Sequence, residues 1–177
     1  AKGKVTGKKA GKAVVTAKVK GKTLKCKVTV TKKQAAKKNA KTAGKKNTTS
    51  DISLQKKVIS IVNKNRKKKG LEALTMDEKL MKAAQDRAKE LTKSFSHTRP
   101  NGTSCFTIFE KYKITPTASG ENIAAGQRSA AAVMDSWMNS PGHKENIMNN
   151  RFKKIGVGLV IVPNDMYSYY WVQMFTE

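Results

Sequence analysis

One run near the C-terminus constrains the fold more than any other part of this chain. Ile155, Val157, Leu159 and Ile161 alternate with Gly156, Gly158, Val160 and Val162, so neither side of the run carries a polar residue. Alternation rich in β-branched residues makes it a strand, and a strand that is apolar on both sides is covered on both faces of its sheet. Pro163, Asn164 and Asp165 then turn the chain into a closing strand, Tyr167 to Thr176. Helices are therefore expected above and below the sheet.

The segment from Ser50 onward supplies those helices. Leu54, Val58, Ile61 and Val62 recur at helical spacing, with a basic run from Arg66 to Lys69 near the end and Gly70 as the stop. Thr75 followed by Glu78 reads as a capping box that opens a second helix, whose face is Leu80, Ala84, Arg87, Ala88 and Leu91. That helix is expected to run out between Ser94 and His97, before the turn residues Pro100, Asn101 and Gly102. The sequence ENIAA at Glu121 to Ala125 reads as a short extended piece. Ser129 caps a third helix with Val133, Met134, Trp137 and Met138 on one side, and Ser140 with Pro141 opens a short fourth. Trp137 and Trp171 read as core residues.

The first 49 residues have a different texture. They hold 17 lysines and no acidic residue, whereas 50–177 holds 20 Lys and Arg against 12 Asp and Glu, a difference of +8, so most of the formal net charge of +25 belongs to the front. Such a front attracts polyanions such as anionic cell-surface or wall polymers. Specific nucleic-acid reading is not expected, because residues 1–49 contain no Phe, Tyr, Trp or Arg to stack on bases or fork onto them. Within this front, Ala13 to Val19 and Leu24 to Thr31 read as two strands paired through a turn around Gly21. Residues 32–49 lack apolar periodicity and read as a charged linker. No transmembrane run is present, and lysines follow Ala1 where a signal peptide would be apolar, so a mature or trimmed piece is expected. The cysteines, Cys26 and Cys105, fall in different segments and read as buried free thiols.

Three short stretches carry the chemistry: SHTRPNG at 96–102, SGENIAAG at 119–126 and SPGHKENI at 140–147. Each places a proton-transfer or metal-ligating group, His97, Glu121 or His143, among small residues at an element boundary, where sites are often built. His143 falls in the first turn of the fourth helix, where the positive end of the dipole disfavours imidazolium. Two imidazoles and a carboxylate can hold Zn or another divalent cation with a position left for water. The wide separation of the three is no compact metal motif, and the alternative reading is that Glu121 pairs with one or both imidazoles and caps backbone amides, bracing the fold without reacting with anything. Arg99, Asn122 and Ser140 are candidate ligand contacts, although Arg99 pairing with a nearby acid is the preferred reading.

Together with IVNKNRKKKGL, WMNSPGHKENI and the GVGLVIV strand, these motifs resemble the bacterial branch of the CAP superfamily over residues 50–177. That superfamily groups cysteine-rich secretory proteins, insect-venom antigens and plant pathogenesis-related proteins. The resemblance implies an α+β fold, a three-layer α-β-α sandwich with a small antiparallel sheet, together with an extracellular setting and a cleft whose histidines fall on His97 and His143 and whose acid falls on Glu121. Many eukaryotic relatives have a second acid just after the Trp of the third helix. Here Met138, Asn139 and Ser140 follow Trp137, and Asp135 and Glu145 stand at other offsets, so a reduced site of two imidazoles and one carboxylate is expected. Residues 1–31 resemble the C-terminal part of a bacterial immunoglobulin-like repeat, whose open strands invite self-association.

Three functions follow. The first is a secreted or wall-associated module whose cleft binds a ligand or metal. The second is a metal-dependent hydrolase of peptides or esters, with Glu121 as ligand or general base and His97 and His143 holding the ion. The third is lipid or sterol binding, which the resemblance allows for some relatives.

Overall fold

The computed structural model describes residues 50–177 in full and, ahead of them, the backbone of two strands, β1 (Gly11–Val19) and β2 (Lys22–Val30). These pair antiparallel with Val19 opposite Lys22 and Gly11 opposite Val30, forming the hairpin expected around Gly21. The chain divides into two compact units, Ala1–Gly44 and Lys45–Glu177. The immunoglobulin-like character of residues 1–31, their self-association, the burial of Cys26 and the linker at 32–49 lie outside the described residues.

In the second unit α1 (Ile52–Lys67) opens on Asp51, whose side chain accepts the amides of Ser53 at 2.9 Å and Leu54 at 3.3 Å. Val58, Ile59 and Val62 are buried on its inner face, while Leu54 and Ile61 are only partly buried. Gly70 ends it in the left-handed region at φ +71, where the Leu71 amide reaches back to the Arg66 carbonyl at 3.0 Å. Arg66, first of the basic run, turns inward. It is 1% exposed and donates to the carbonyls of Glu72, Ile147 and Asn149 at 2.8 to 2.9 Å, tying the end of α1 to the chain before the sheet.

The second helix, α2 (Glu78–Leu91), is capped by Asp77 rather than by Thr75. Thr75 belongs to a two-residue strand, β3 (Thr75–Met76), and its amide is spent on the Lys153 carbonyl at 2.8 Å; the Asp77 side chain takes the Leu80 amide at 2.9 Å. The helix ends at Leu91, well before His97. A 3₁₀ turn, Cys105–Thr107, and a single helical turn, α3 (Ile108–Lys111), follow. The remaining elements are β4 (Ser119–Ala125), α4 (Ala130–Met138), α5 (Pro141–Met148), β5 (Lys154–Ile161) and β6 (Tyr169–Thr176).

The sheet order is β3-β5-β6-β4, with β5 and β4 antiparallel to β6 and the short β3 parallel to β5. Both faces are covered, as the two-sided apolar strand requires. On one face Val58, Val62, Val133, Met134 and Trp137 pack on Ile155, Val157, Leu159, Trp171 and Phe175. On the other, Leu80, Ala84, Ala88 and Phe109 pack on Val160, Val172 and Met174. Glycines on β5 let α2 approach closely, since a Cβ at Gly158 would stand 2.0 Å from the Ala84 carbonyl oxygen. Beyond β3 the outer edge of β5 is closed by a side chain. Gln85 donates to the Leu159 carbonyl at 2.9 Å and accepts its amide at 3.2 Å, and Gln55 holds that amide group from α1 at 2.7 Å. An edge occupied in this way does not present a free ladder to another strand.

Candidate functional site: a histidine held by a buried ion pair

Three elements converge at the end of the sheet where β4 begins. The α2 helix contributes Arg87, the segment after it His97, and β4 Glu121. The Glu121 side chain is 1% exposed, and both of its oxygens are engaged. Oε2 accepts from Arg87 Nε at 2.9 Å; Oε1 accepts from His97 Nδ1 at 2.8 Å and, more weakly, from Arg87 Nη2 at 3.4 Å. A carboxylate facing a guanidinium only accepts, so the His97 proton sits on Nδ1 and the other ring edge is left for the cleft. Arg87, fully buried, also donates to Glu90 at 2.6 Å and to the Ser96 carbonyl at 2.9 Å. Burial works against its charge, but the hydrogen bonds and charges of Glu121 and Glu90 outweigh that and raise its pKa.

Arg99 closes the chain of charges by pairing with Glu90 at 2.7 Å, the preferred of its two expected roles, and donates to the Thr107 hydroxyl at 2.9 Å. Burial raises the Glu90 pKa, but the two arginines overcome it and leave it lowered. The SHTRPNG stretch folds back on itself through Gly102, at φ +82, and the Cys105 amide donates to the His97 carbonyl at 3.0 Å. His97 is thereby fixed at both backbone and ring while its side chain stays 57% exposed.

The cleft before it, about 480 Å³, is lined by His97, Cys105, Phe106, Gly120, Glu121 and Asn146, among others. Of the expected site residues it takes in His97 and Glu121, and its lining does not include His143, Arg99, Asn122 or Ser140, nor Asp135 and Glu145. His143 stands in the first turn of α5, and its carbonyl accepts from Asn122 at 3.0 Å. Its Nδ1 is buried with no hydrogen-bond partner. Burial, then the neighbouring His97 charge, lower its pKa below the ordinary 6.5, so the ring is neutral at pH 7. The direction is the one expected from its helix position, but the causes are desolvation and the second imidazole.

Asn122, a candidate ligand contact, is fully buried and spends its amide on the His143 carbonyl, on Gln173 at 3.0 Å and on Asn146 at 2.9 Å. Asn146 also reaches the Glu121 carbonyl at 3.3 Å, so the two asparagines fasten α5 to β4 beside the cleft. Ser140 occupies the N-cap position of α5 without making the side-chain cap bond.

One set of potential metal ligands, His97, Cys105 and Glu121, has ligand atoms within 4.8 Å of one another, and His143 falls outside it. Burial, followed by the adjacent Glu121 carboxylate, pushes the Cys105 thiol up to about 12, so at neutral pH it is neither thiolate nucleophile nor ready ligand. Sequence reading missed the part of Arg87, counting it only as a member of an apolar helix face. The available signal was that position itself, since an arginine among Ala84, Ala88 and Leu91 needs a buried acid.

The three-layer α-β-α arrangement is shared with known proteins. Residues 59–175 match the CAP family, described as the cysteine-rich secretory protein family, and the chain belongs to it. The uncharacterized protein YkwD of Bacillus subtilis is 39% identical over 126 residues, 67% of this chain and 49% of that protein. An extracellular protein of Bacillus anthracis containing an SCP domain superposes with a TM-score of 0.63 at 26% identity, covering 71% of this chain and 41% of that one. An outer surface protein of Borrelia burgdorferi superposes at 0.64 with 28% identity, covering 71% and 92%. The chain thus spans about half the length of YkwD. Among the described residues no helix is long and apolar enough to cross a membrane.

Proposed function

We propose that this chain is a secreted or wall-associated binding module whose cleft takes a ligand or divalent cation at His97 and His143. The observation that carries this reading is the His97 ring, locked at Nδ1 by a buried carboxylate and exposed at its other edge. That is how proteins orient a metal-ligating imidazole, with the second nitrogen donating to a carboxylate. A zinc-like ion there would be held by His97 through Nε2, with Glu121 as the group that orients rather than ligates, and His143, whose Nδ1 lacks a partner, would be the second ligand. A bound zinc would supply a Lewis acid at the cleft.

Glu121 is a poor candidate for the base of a hydrolase. Its side chain is buried and both oxygens are held by Arg87 and His97, so neither is free to take a proton from a cleft water. The lysine-rich front would hold the module to anionic wall polymers by charge.

Calorimetric titration of the metal-free chain with zinc at neutral pH tests this reading. One saturable site is expected, lost in both His97→Ala and His143→Ala. Absence of saturable binding, or binding unchanged in both variants, would reduce the triad to a brace.

A further inference from the structure

A second cavity, about 340 Å³, opens where α2 begins, and its lining includes Lys79, Lys113, Lys154, Asp77, Thr176 and Glu177. The lysines come from three separate elements: the first turn of α2, the segment after α3 and the start of β5. Both lining carboxylates already have partners. Asp77 caps α2 through the Leu80 amide at 2.9 Å, and Glu177 accepts the amide and hydroxyl of Thr117.

None of the three lysines forms an ion pair, although Asp77 and Glu177 keep their charge on the same lining. Among the described residues the lysines that pair with carboxylates are Lys89, Lys111 and Lys153, and residues 1–49 have no acid to offer. Lys113, moreover, sits in the left-handed region at φ 52, which a residue with a side chain adopts only where its surroundings impose it. Three unpaired ammonium groups against two carboxylates leave the lining net positive and favour an anion, and ammonium groups on different elements match the separate oxygens of a tetrahedral one.

We propose that this cavity binds phosphate groups of a phosphodiester polymer. The sheet register puts it next to the histidine cleft. Lys154 is opposite Thr176, Thr176 is opposite Ser119, and Ser119 lines the cleft. A polymer seated on the three lysines can therefore run across the end of the sheet to His97. This site is independent of whether the cleft binds metal.

The test is an amide NMR titration of the ¹⁵N-labelled full chain, first with inorganic phosphate and then with a short glycerol-phosphate oligomer. Saturable shifts are expected at the amides of Lys79, Thr115 and Thr176, with the oligomer at least about tenfold tighter than inorganic phosphate because several charges engage together. In Lys79→Gln/Lys113→Gln/Lys154→Gln, affinity is expected to fall at least about tenfold, as loss of charge-assisted contacts implies. All three side chains are exposed, so the variant should keep the wild-type spectrum away from the cavity. Non-specific binding by the lysine-rich front shifts only residues 1–49 and does so equally in both proteins. Either that pattern alone or unchanged cavity shifts in the triple variant overturns the proposal. Equal affinity for oligomer and inorganic phosphate would overturn the polymer as occupant.

Discussion

Glu121→Ala is expected to cost about 3–5 kcal/mol of folding stability, the range for removing one partner of a buried ion pair. The Arg87 side chain has no exposure and that of Glu121 has 1%, so deleting the carboxylate strands a guanidinium that water cannot reach. Glu90 remains as a partner, but it is shared with Arg99 and is partly exposed. Arg87→Ala should cost a similar amount, leaving a buried carboxylate with only the half-exposed His97. Replacing both with apolar residues, Arg87→Met/Glu121→Leu, should recover a large part of the loss, because neither charge is then left alone. Urea denaturation of the four proteins measures both losses and the recovery. Losses below about 1 kcal/mol in both single variants, the size of an exposed salt bridge, would show that the pair is not the buried anchor described here.

Gly158→Ala should destabilise by about 3 kcal/mol or more, at the upper end of overpacking, because the added methyl meets backbone rather than a side chain that can turn away. Its Cβ would lie 2.0 Å from the Ala84 carbonyl oxygen and 2.7 Å from the Gln85 amide nitrogen. Only a shift of α2 away from the sheet relieves that contact. Such a shift also moves Arg87, one turn further along α2, and with it the anchor of His97. The same substitution at Gly142, where nothing lies within 4 Å, should be close to neutral and serves as the control. Thermal denaturation separates the two. A Gly158→Ala protein as stable as the Gly142→Ala protein would mean that α2 does not rest on β5 in the way described.

How far the sequence discloses this architecture depends on the element. The run at 155–162 was sufficient for three layers, because covering both faces of a strand is a requirement of burial alone. Its two glycines read only as breaks in an apolar alternation. Their use as the seat of α2 depends on a helix distant in sequence, which periodicity does not report. The shift of the α2 cap from Thr75 to Asp77 has a similar origin, since two competent residues stood close together and the bond to Lys153 decided between them. The 3₁₀ turn and α3 are too short to produce a helical pattern.

At the site, the motifs identified Glu121 and His97, which touch, and His143, whose backbone carbonyl rather than its ring is tied to the Glu121 backbone through the Asn122 and Asn146 side chains. Arg87 was visible as a residue but not as a partner. An arginine inside an apolar stripe announces that it needs a buried acid without saying which of the acids supplies it. Asn122, read as a ligand contact, is enclosed in an amide network that holds β4 against α5.

Long-range ¹H–¹⁵N spectroscopy of the imidazole rings, with and without zinc, is the most direct test of the claim that His97 is an oriented binding group. At a pH where the ring is neutral, the His97 proton is expected on Nδ1, donated to Glu121, and zinc should move the Nε2 resonance of His97 and the ring signals of His143. A proton on Nε2, or rings indifferent to the metal, would contradict the account.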